Sequence, residues 1–265
     1  MVFCAFNLVG KPIDDILKTI PQEDREDLTR LFHLIFLEQD GAYTIFGDKP
    51  VSLSGAFIIA SWETTAKRKA GYITHLWKTW QMYRDLFEIK KYIIVGEKFK
   101  IKKSNIVAFH IFVINKEAFI KSINRHKSLF EYVLKKKINP EILLHDIENG
   151  KISFWESIRF NEMLLGILLG YGAHNATLFN QRQHHFFDIF KRDKATLETK
   201  KNKLEFFGEE RHPVMIVNPV QFAADLAHPE TIRLDKKYKA LRIKIGTIYS
   251  KEDLLAKTLS QLTSD

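Results

Sequence analysis

Apolar residues return every three or four positions over much of this chain, which is the spacing of one face of an α-helix. The clearest case follows Pro21, where Leu28, Leu31, Phe32 and Ile35 form such a stripe behind several acidic residues. The same spacing predicts helices over these ranges: 12–19, 22–39, 70–87, 116–134, 140–149, 229–248 and 251–262. The chain is therefore expected to be rich in amphipathic helices.

Two stretches of β-prone residues flank turn sequences, and each predicts a β-hairpin. The first surrounds G-D-K-P at 47–50, and the second joins 92–99 to 106–114 through a basic turn. The heptad Y-T-I-F-G-D-K at 43–49 resembles Y-I-I-V-G-E-K at 92–98, with identical residues at the first, third, fifth and seventh positions. Because each heptad follows a predicted helix, we interpret them as an internal repeat of a helix–hairpin unit. Shared turn chemistry in two unrelated hairpins is the alternative.

These elements predict an α+β fold. Two helix–hairpin units would build an antiparallel sheet of four to five strands with helices on one face, and the second half would be predominantly helical. No linker rich in Pro, Gly or Ser divides the chain. We therefore expect a single domain over 1–265, with an α/β-hairpin part at about 1–115 and a helical part at about 116–265.

A long helix is predicted from Ser153, which would form a capping box with Glu156, to about residue 190. Within it, Gly166, Gly170 and Gly172 interrupt a strongly apolar run. A glycine costs about 1 kcal/mol relative to alanine inside a helix. We therefore expect a neighbour, either another helix or a ligand, to approach the bare backbone closely.

Five residues of this predicted helix recur at spacings of three, four, four and four, which would place them on one face: Arg159, Glu162, Gly166, Gly170 and His174. Close packing against another helix, with an Arg159–Glu162 ion pair, is one interpretation. The other is a ligand groove along the glycines, to which Gly172 and Asn175 would also belong. In that groove Glu162 and His174 could act as acid and base, with Arg159 as an anion clamp.

The remaining histidines offer weaker candidates. His184 and Asp188 would share a helical face beside His185, a spacing that metal ligands also use. Two ligands do not complete a site, so the sequence predicts no bound metal. His110 lies in the apolar run V-A-F-H-I-F-V-I and is expected to be a hydrogen-bonded core residue.

The chain is basic, with 41 Lys and Arg against 32 Asp and Glu and a net charge of +9. Such a balance suits nucleic acid, anionic membranes or acidic ligands. The lysines, however, occur in short scattered groups and lack the planar fork of arginine, so a solvated surface is the preferred interpretation. Trp77 and Trp80, three residues apart on a predicted amphipathic helix, are expected to fill the core rather than to stack on bases.

Cys4 is the only cysteine, which excludes an internal disulfide and a cysteine-based zinc site. The apolar start of the chain lacks a basic flank and is too short for a membrane span, and no other run reaches the roughly 18 apolar residues that a span needs. We expect a buried N-terminal strand and a cytoplasmic protein. A protein that is exported or lipid-anchored through Cys4 is the alternative.

Three segments carry a resemblance: L-F-H-L-I-F-L-E-Q-D-G-A-Y-T-I-F-G-D-K-P-V-S-L, L-L-G-I-L-L-G-Y-G-A-H-N-A-T-L-F and H-P-E-T-I-R-L-D-K-K-Y. They resemble blocks in a family of uncharacterised proteins from intracellular bacteria, chlamydial ones among them. The resemblance implies a bacterial protein, exported or membrane-anchored in some members. It implies no activity and no site residue.

The chain contains no phosphate loop, dinucleotide-binding fingerprint, nucleophile elbow, His-Glu-x-x-His zinc motif or kinase motif set. The sequence therefore favours a non-enzymatic binding or interaction protein without a cofactor, whose partner is a protein or a small ligand. A hydrolase using Arg159, Glu162 and His174 is the alternative. Nucleic-acid binding through the lysine patches ranks third.

Overall fold

The structure is a computed structural model, and it describes residues 11–60, 64–100, 107–189, 205–207, 217–250 and 253–264. Within these ranges, the backbone alone is described at 55–60, 64–70, 100, 182–189 and 205–207. The prediction for Cys4 and its apolar surroundings lies outside the described residues.

The predicted N-terminal helices are confirmed. Helix α1 spans Ile13–Thr19 and α2 spans Gln22–Phe32, and each begins directly after a proline. A π-helical segment, His33–Glu38, continues α2 and keeps its apolar stripe directed into the core.

The first predicted hairpin is wrong. Residues Gly41–Ile45 form the short helix α3, and only Val51–Ala60 form a strand, β1. Every residue of α3 is buried, and the Tyr43 hydroxyl donates a hydrogen bond to the Asn218 carbonyl oxygen. A helix this short leaves its last carbonyl groups without intrahelical partners. Side chains that surround it supply them, since Asn115 Nδ2 donates to the Thr44 carbonyl oxygen and the Tyr92 hydroxyl donates to that of Ile45.

The second hairpin is confirmed. Strands β2 (Tyr92–Lys100) and β3 (Val107–Asn115) pair antiparallel, and their turn lies outside the described residues. Strand β1 pairs antiparallel with the other edge of β3, so the order is β1-β3-β2. Helix α4, Thr64–Tyr83, followed by the 3₁₀ turn Arg84–Leu86, connects β1 to β2.

The two heptads of the proposed repeat therefore differ in structure, since 43–49 begins in helix α3 and 92–98 lies in strand β2. Within the described residues the main sheet has three strands rather than four or five. A separate pair, β4 (Glu205–Phe207) with β5 (Phe222–Ala224), forms a second, two-stranded sheet.

Helices cover both faces of the main sheet, whereas the sequence suggested one. Side chains such as Phe109 and Ile111 join a core with α1 to α4, while Phe112 and Ile114 join a core with the helices that follow β3. Strand β3 is consequently buried almost throughout. Trp77 and Trp80 fill the first core, as predicted.

The helical second half is confirmed in outline, but its predicted long helices are divided. The predicted helix 116–134 is broken at His126. The elements after β3 are α5 (Lys116–Arg125), α6 (Lys127–Leu134), α7 (Pro140–Glu148), α8 (Phe154–Ser157), α9 (Glu162–Leu168) and α10 (Ala173–Ile189). The two helices predicted after residue 228 are present as α11 (Pro229–Tyr249) and α12 (Leu254–Thr263).

The capping box of Ser153 and Glu156 is present, but it begins the single turn α8 rather than a helix that runs to residue 190. Arg159 and Phe160 interrupt the path with φ of 53° and 54°. Gly170 and Gly172 interrupt it again with φ of 74° and 86°. A change of backbone handedness ends an α-helix, so the three glycines do not lie on one helix.

Candidate functional site

At Gly166, α9 and α10 approach each other closely. A Cβ atom at Gly166 would lie 2.9 Å from the Cβ of Ala176 on α10, nearer than side-chain atoms normally approach. The predicted close neighbour of this glycine is therefore a helix.

Gly170 and Gly172 form the turn between α9 and α10, which we call the glycine loop, residues 169–172. Their positive φ values are ones that a residue with a Cβ adopts only at a cost. The Tyr238 hydroxyl donates a hydrogen bond of 2.8 Å to the Gly170 carbonyl oxygen. The Glu230 carboxylate lies against Gly172 and accepts hydrogen bonds from the backbone nitrogens of Ala173 and His174, at 3.3 and 3.0 Å. A carboxylate at this place satisfies the free N–H groups of the first turn of α10.

On one side of the glycine loop, α9, α10 and β5 enclose a pocket of about 310 Å³, which we call the Gly166 pocket. Its apolar walls are formed by these residues: Trp155, Leu165, Leu169, Tyr171, Phe179 and Phe222. The rings of Tyr171 and Phe222 stack at 4.3 Å. Glu162, at the start of α9, is the one charged residue among the described residues that line the pocket.

Trp155 is oriented by two residues of the main sheet. Its Nε1 donates a hydrogen bond of 2.9 Å to Nδ1 of His110, and the Glu97 carboxylate accepts hydrogen bonds from the backbone nitrogens of Phe154 and Trp155. Burial lowers the pKa of His110 to about 4, so the imidazole stays neutral and keeps Nδ1 free to accept. Burial also raises the pKa of Glu97, although its two backbone hydrogen bonds oppose that shift. His110 is thus the hydrogen-bonded core residue that the sequence predicts.

An aromatic side chain on a strained turn packs against the wall residue Trp155. Phe160 follows Arg159 in the left-handed region, and its side chain stacks on Trp155 with ring centroids 5.8 Å apart and planes within 4°. Its side chain nevertheless stays 56% exposed. Asn161 then begins α9 by accepting a hydrogen bond from the Leu164 backbone nitrogen.

The opposite side of the glycine loop borders a second depression of about 260 Å³, which we call the Glu230 cleft. Three cationic and three anionic side chains line it: Lys121, Arg125, Lys237, Asp48, Glu117 and Glu230. Two of the anions are engaged within the protein, because Asp48 pairs with Lys237 at 2.5 Å and Glu230 caps α10. Burial lowers the pKa of His126 in the same cleft. The cleft therefore balances its own charges.

The structure separates the residues that the sequence placed on one face. Glu162, Gly166 and Asn175 line the Gly166 pocket, whereas Gly170 and Gly172 line the Glu230 cleft. The sequence prediction of a single glycine-lined face is wrong because the chain turns twice within it.

Arg159 and His174 do not join Glu162. Arg159 is exposed on the turn before α9, and among the described residues it forms no ion pair with Glu162. His174 Nε2 lies 3.2 Å from Oδ2 of Asp225, and its ring stacks on His228 at 3.6 Å. This hydrogen bond lowers the pKa of Asp225. The acid, base and anion clamp of the hydrolase alternative are therefore not assembled in the described pocket.

Sequence reasoning missed a buried ion pair beneath the glycine loop. Lys49 is fully buried, and its Nζ lies 3.0 Å from Oδ2 of Asp40 and donates a 2.6 Å hydrogen bond to the Val51 carbonyl oxygen. Burial lowers the pKa of Lys49, while Asp40 opposes that shift. The turn signature around Lys49 predicts an exposed side chain, and no local pattern indicates otherwise.

The metal candidates His184, His185 and Asp188 lie on the backbone of α10, at positions whose side chains are outside the described residues. Within the ranges that the structure describes, no group of three or more His, Cys, Asp or Glu side chains is placed to hold a metal ion. In the same ranges, no helix has both the length and the apolar composition needed to cross a bilayer.

Comparison with known proteins gives no relative: the chain matches no family model, no curated protein and no solved structure. The resemblance to proteins of chlamydia-like bacteria stays a prediction.

Proposed function

We propose that this chain is a binding protein whose ligand is a small, mainly apolar molecule held in the Gly166 pocket. The observation that carries this proposal is the pocket itself, an open concavity with aromatic walls between α9, α10 and β5. Small-molecule sites are typically concave and mainly apolar, with a few polar groups.

The size of the pocket indicates the size of its ligand. A cavity of about 150 Å³ holds one benzene molecule. The Gly166 pocket, at about 310 Å³, therefore suits a molecule of about two fused rings. Leu169 and Phe222 are buried and supply a firm wall, whereas Phe179 is 37% exposed near the opening.

The backbone next to the pocket supports a functional role for this region. Arg159 and Phe160 both have positive φ, a conformation that costs about 1 kcal/mol or more for each residue with a Cβ. Such strain tends to occur at functional sites. Here it holds Phe160 against Trp155, a residue of the pocket wall.

Binding accounts for these residues better than hydrolysis does. General acid–base catalysis needs at least one titratable side chain within hydrogen-bond reach of the reacting group, and hydrolysis usually needs a second that activates the nucleophile. Of the described lining residues, Glu162 is the only carboxylate, and no histidine accompanies it.

The proposal is tested by titrating isotope-labelled protein with 3-methylindole and recording backbone amide shifts by NMR. We expect saturable shifts at the amides of Leu165, Gly166 and Leu169, because these residues line the pocket. Leu165→Trp should fill the pocket and weaken binding at least tenfold.

Leu129→Trp is the matched control, since Leu129 is also a partly buried leucine of the same core but lies outside the pocket. It should bind as tightly as the wild type. Absence of saturable shifts up to the solubility limit of 3-methylindole, or equal binding by both tryptophan variants, would refute the proposal.

A further inference from the structure

We infer that the ligand of the Gly166 pocket is an organic cation, an amine attached to an apolar ring system. The inference rests on the proposed function and adds the charge of the ligand to it. Three features of the pocket support it. A carboxylate at the mouth, that of Glu162, has no partner among the described residues. The buried side-chain amide of Asn175 is hydrogen-bonded within the protein, and the walls are aromatic.

The Glu162 carboxylate is available to a ligand. Glu162 lines the pocket and is exposed, so it lies where the pocket meets solvent. Among the residues that the structure describes, none forms a hydrogen bond or an ion pair with this carboxylate. On the other side of the glycine loop, Glu230 caps α10 and Asp48 pairs with Lys237, whereas Glu117 has no partner among the described residues but lies in a cleft with three cations.

The buried amide of the pocket is already satisfied by the protein. The Asn175 side chain donates to the Tyr171 carbonyl oxygen and to Thr231 Oγ1, both at 2.9 Å, and accepts from the Asp225 backbone nitrogen at 3.0 Å. A ligand therefore gains little from Asn175. The polar end of the ligand is better matched by Glu162, which accepts hydrogen bonds but does not donate them when ionised.

The aromatic walls also favour a cation. Trp155, Tyr171, Phe179 and Phe222 surround the same space. Aromatic faces attract cations through their quadrupole. Part of this ring surface is already used within the protein, because Tyr171 stacks on Phe222 and lies under Lys49 Nζ, and Trp155 stacks on Phe160. The Glu162 carboxylate at the mouth is therefore the main feature that disfavours an anion.

The net charge of +9 does not overturn this preference. At physiological salt, charges separated by more than about 8 Å through solvent are largely screened. The charge next to the ligand is therefore decisive, and the described lining of the pocket contributes a carboxylate alone.

Isothermal titration calorimetry with three indoles of similar size tests the inference: tryptamine as the cation, 3-methylindole as the neutral molecule and indole-3-propionate as the anion. We expect tryptamine to bind about tenfold more tightly than 3-methylindole, and indole-3-propionate more weakly than either. Glu162→Gln should weaken tryptamine about fivefold and leave 3-methylindole unchanged.

Glu23→Gln serves as the matched control, because Glu23 is likewise an exposed carboxylate in the first turn of a helix but lies outside the pocket. It should not change the affinity of any of the three indoles. Equal binding of tryptamine and 3-methylindole, or an unchanged preference in Glu162→Gln, overturns the inference while leaving the proposed function intact. Failure of all three indoles to bind overturns both.

Discussion

The Gly166 pocket and the Glu230 cleft border the same glycine loop but differ in the residues that line them. The cleft contains three cations and three anions, several of which bind one another or the backbone. The pocket is apolar and retains one carboxylate that no described residue engages. Size does not distinguish them, since their volumes are about 260 and 310 Å³. Free charges do not distinguish them either, since Glu117, Lys121 and Arg125 of the cleft also have no partner among the described residues. The aromatic and apolar walls identify the Gly166 pocket as the candidate small-molecule site.

The largest expected effect on stability comes from the ion pair of Lys49 and Asp40, which lies beneath the glycine loop between the two cavities. Asp40→Asn removes the charge partner of fully buried Lys49 and leaves an uncompensated buried ammonium group. We expect a loss of about 3 to 5 kcal/mol in the free energy of unfolding, measured by urea denaturation.

The double variant Asp40→Leu with Lys49→Met is the control. It removes both charges and should recover most of that loss. If Asp40→Asn is as stable as the wild type, the ion pair does not support the loop.

A second prediction concerns how stability depends on pH through His110, the residue that holds Trp155 in the pocket wall. The pKa of His110 is about 4 in the folded chain and about 6.5 in an unfolded one, so between these values the unfolded state binds more protons. The contribution of His110 is therefore complete above pH 6.5 and is lost as the pH falls towards 4. The contribution of His110 to the free energy of unfolding should fall by about 3 kcal/mol over this range.

Glu97 acts in the opposite direction. Its pKa is raised in the folded protein, so its stabilising contribution belongs to low pH and is lost as pH rises through that pKa. Subtracting the pH profile of His110→Phe from that of the wild type isolates the histidine. A flat difference between pH 4 and 6.5 would show that His110 is not held neutral by burial.

The third prediction compares two glycines with similar φ. Gly170→Ala places a Cβ 2.5 Å from the Tyr238 hydroxyl in addition to straining the backbone, whereas Gly150, with φ of 67°, has open space around it. We expect a loss of about 2 kcal/mol for Gly170→Ala and about 1 kcal/mol for Gly150→Ala, measured by thermal unfolding. Equal losses would show that Tyr238 can move away without cost and that the loop is not tightly packed against α11.

The candidate site was only partly predictable from the chain. The run around Gly166, Gly170 and Gly172 signals close approach, and all three glycines do have close neighbours. The neighbours themselves are Ala176, Tyr238 and Glu230, and Tyr238 lies 68 residues from Gly170 and Glu230 lies 58 residues from Gly172 along the chain. No local pattern identifies such partners. Phe222 and the strand that carries it also escaped prediction, because a three-residue strand leaves almost no periodic signal.

The two similar heptads show the same limit for the fold. Tyr43 and Tyr92 begin heptads that share four of seven residues, yet one begins within a buried helical turn and the other begins an edge strand paired with β3. Local preference did not decide between them, because Y-T-I-F is β-prone in both composition and pattern. The enclosure of residues 41–45 on all sides decided it.

The sequence by itself determined most of the amphipathic helices, the capping box at Ser153, and the hairpin of β2 and β3. Those features depend on contacts between residues close along the chain, which periodicity and capping residues report directly. The tertiary structure alone decided that helices cover both faces of the sheet, that Lys49 is buried, and that Glu162 and Asn175 share a pocket from which Arg159 and His174 are absent. These outcomes depend on long-range packing, which no local pattern encodes, and on two changes of backbone handedness. Of these, the change at Gly170 and Gly172 carries a local signal in the glycines themselves, whereas the one at Arg159 and Phe160 carries none.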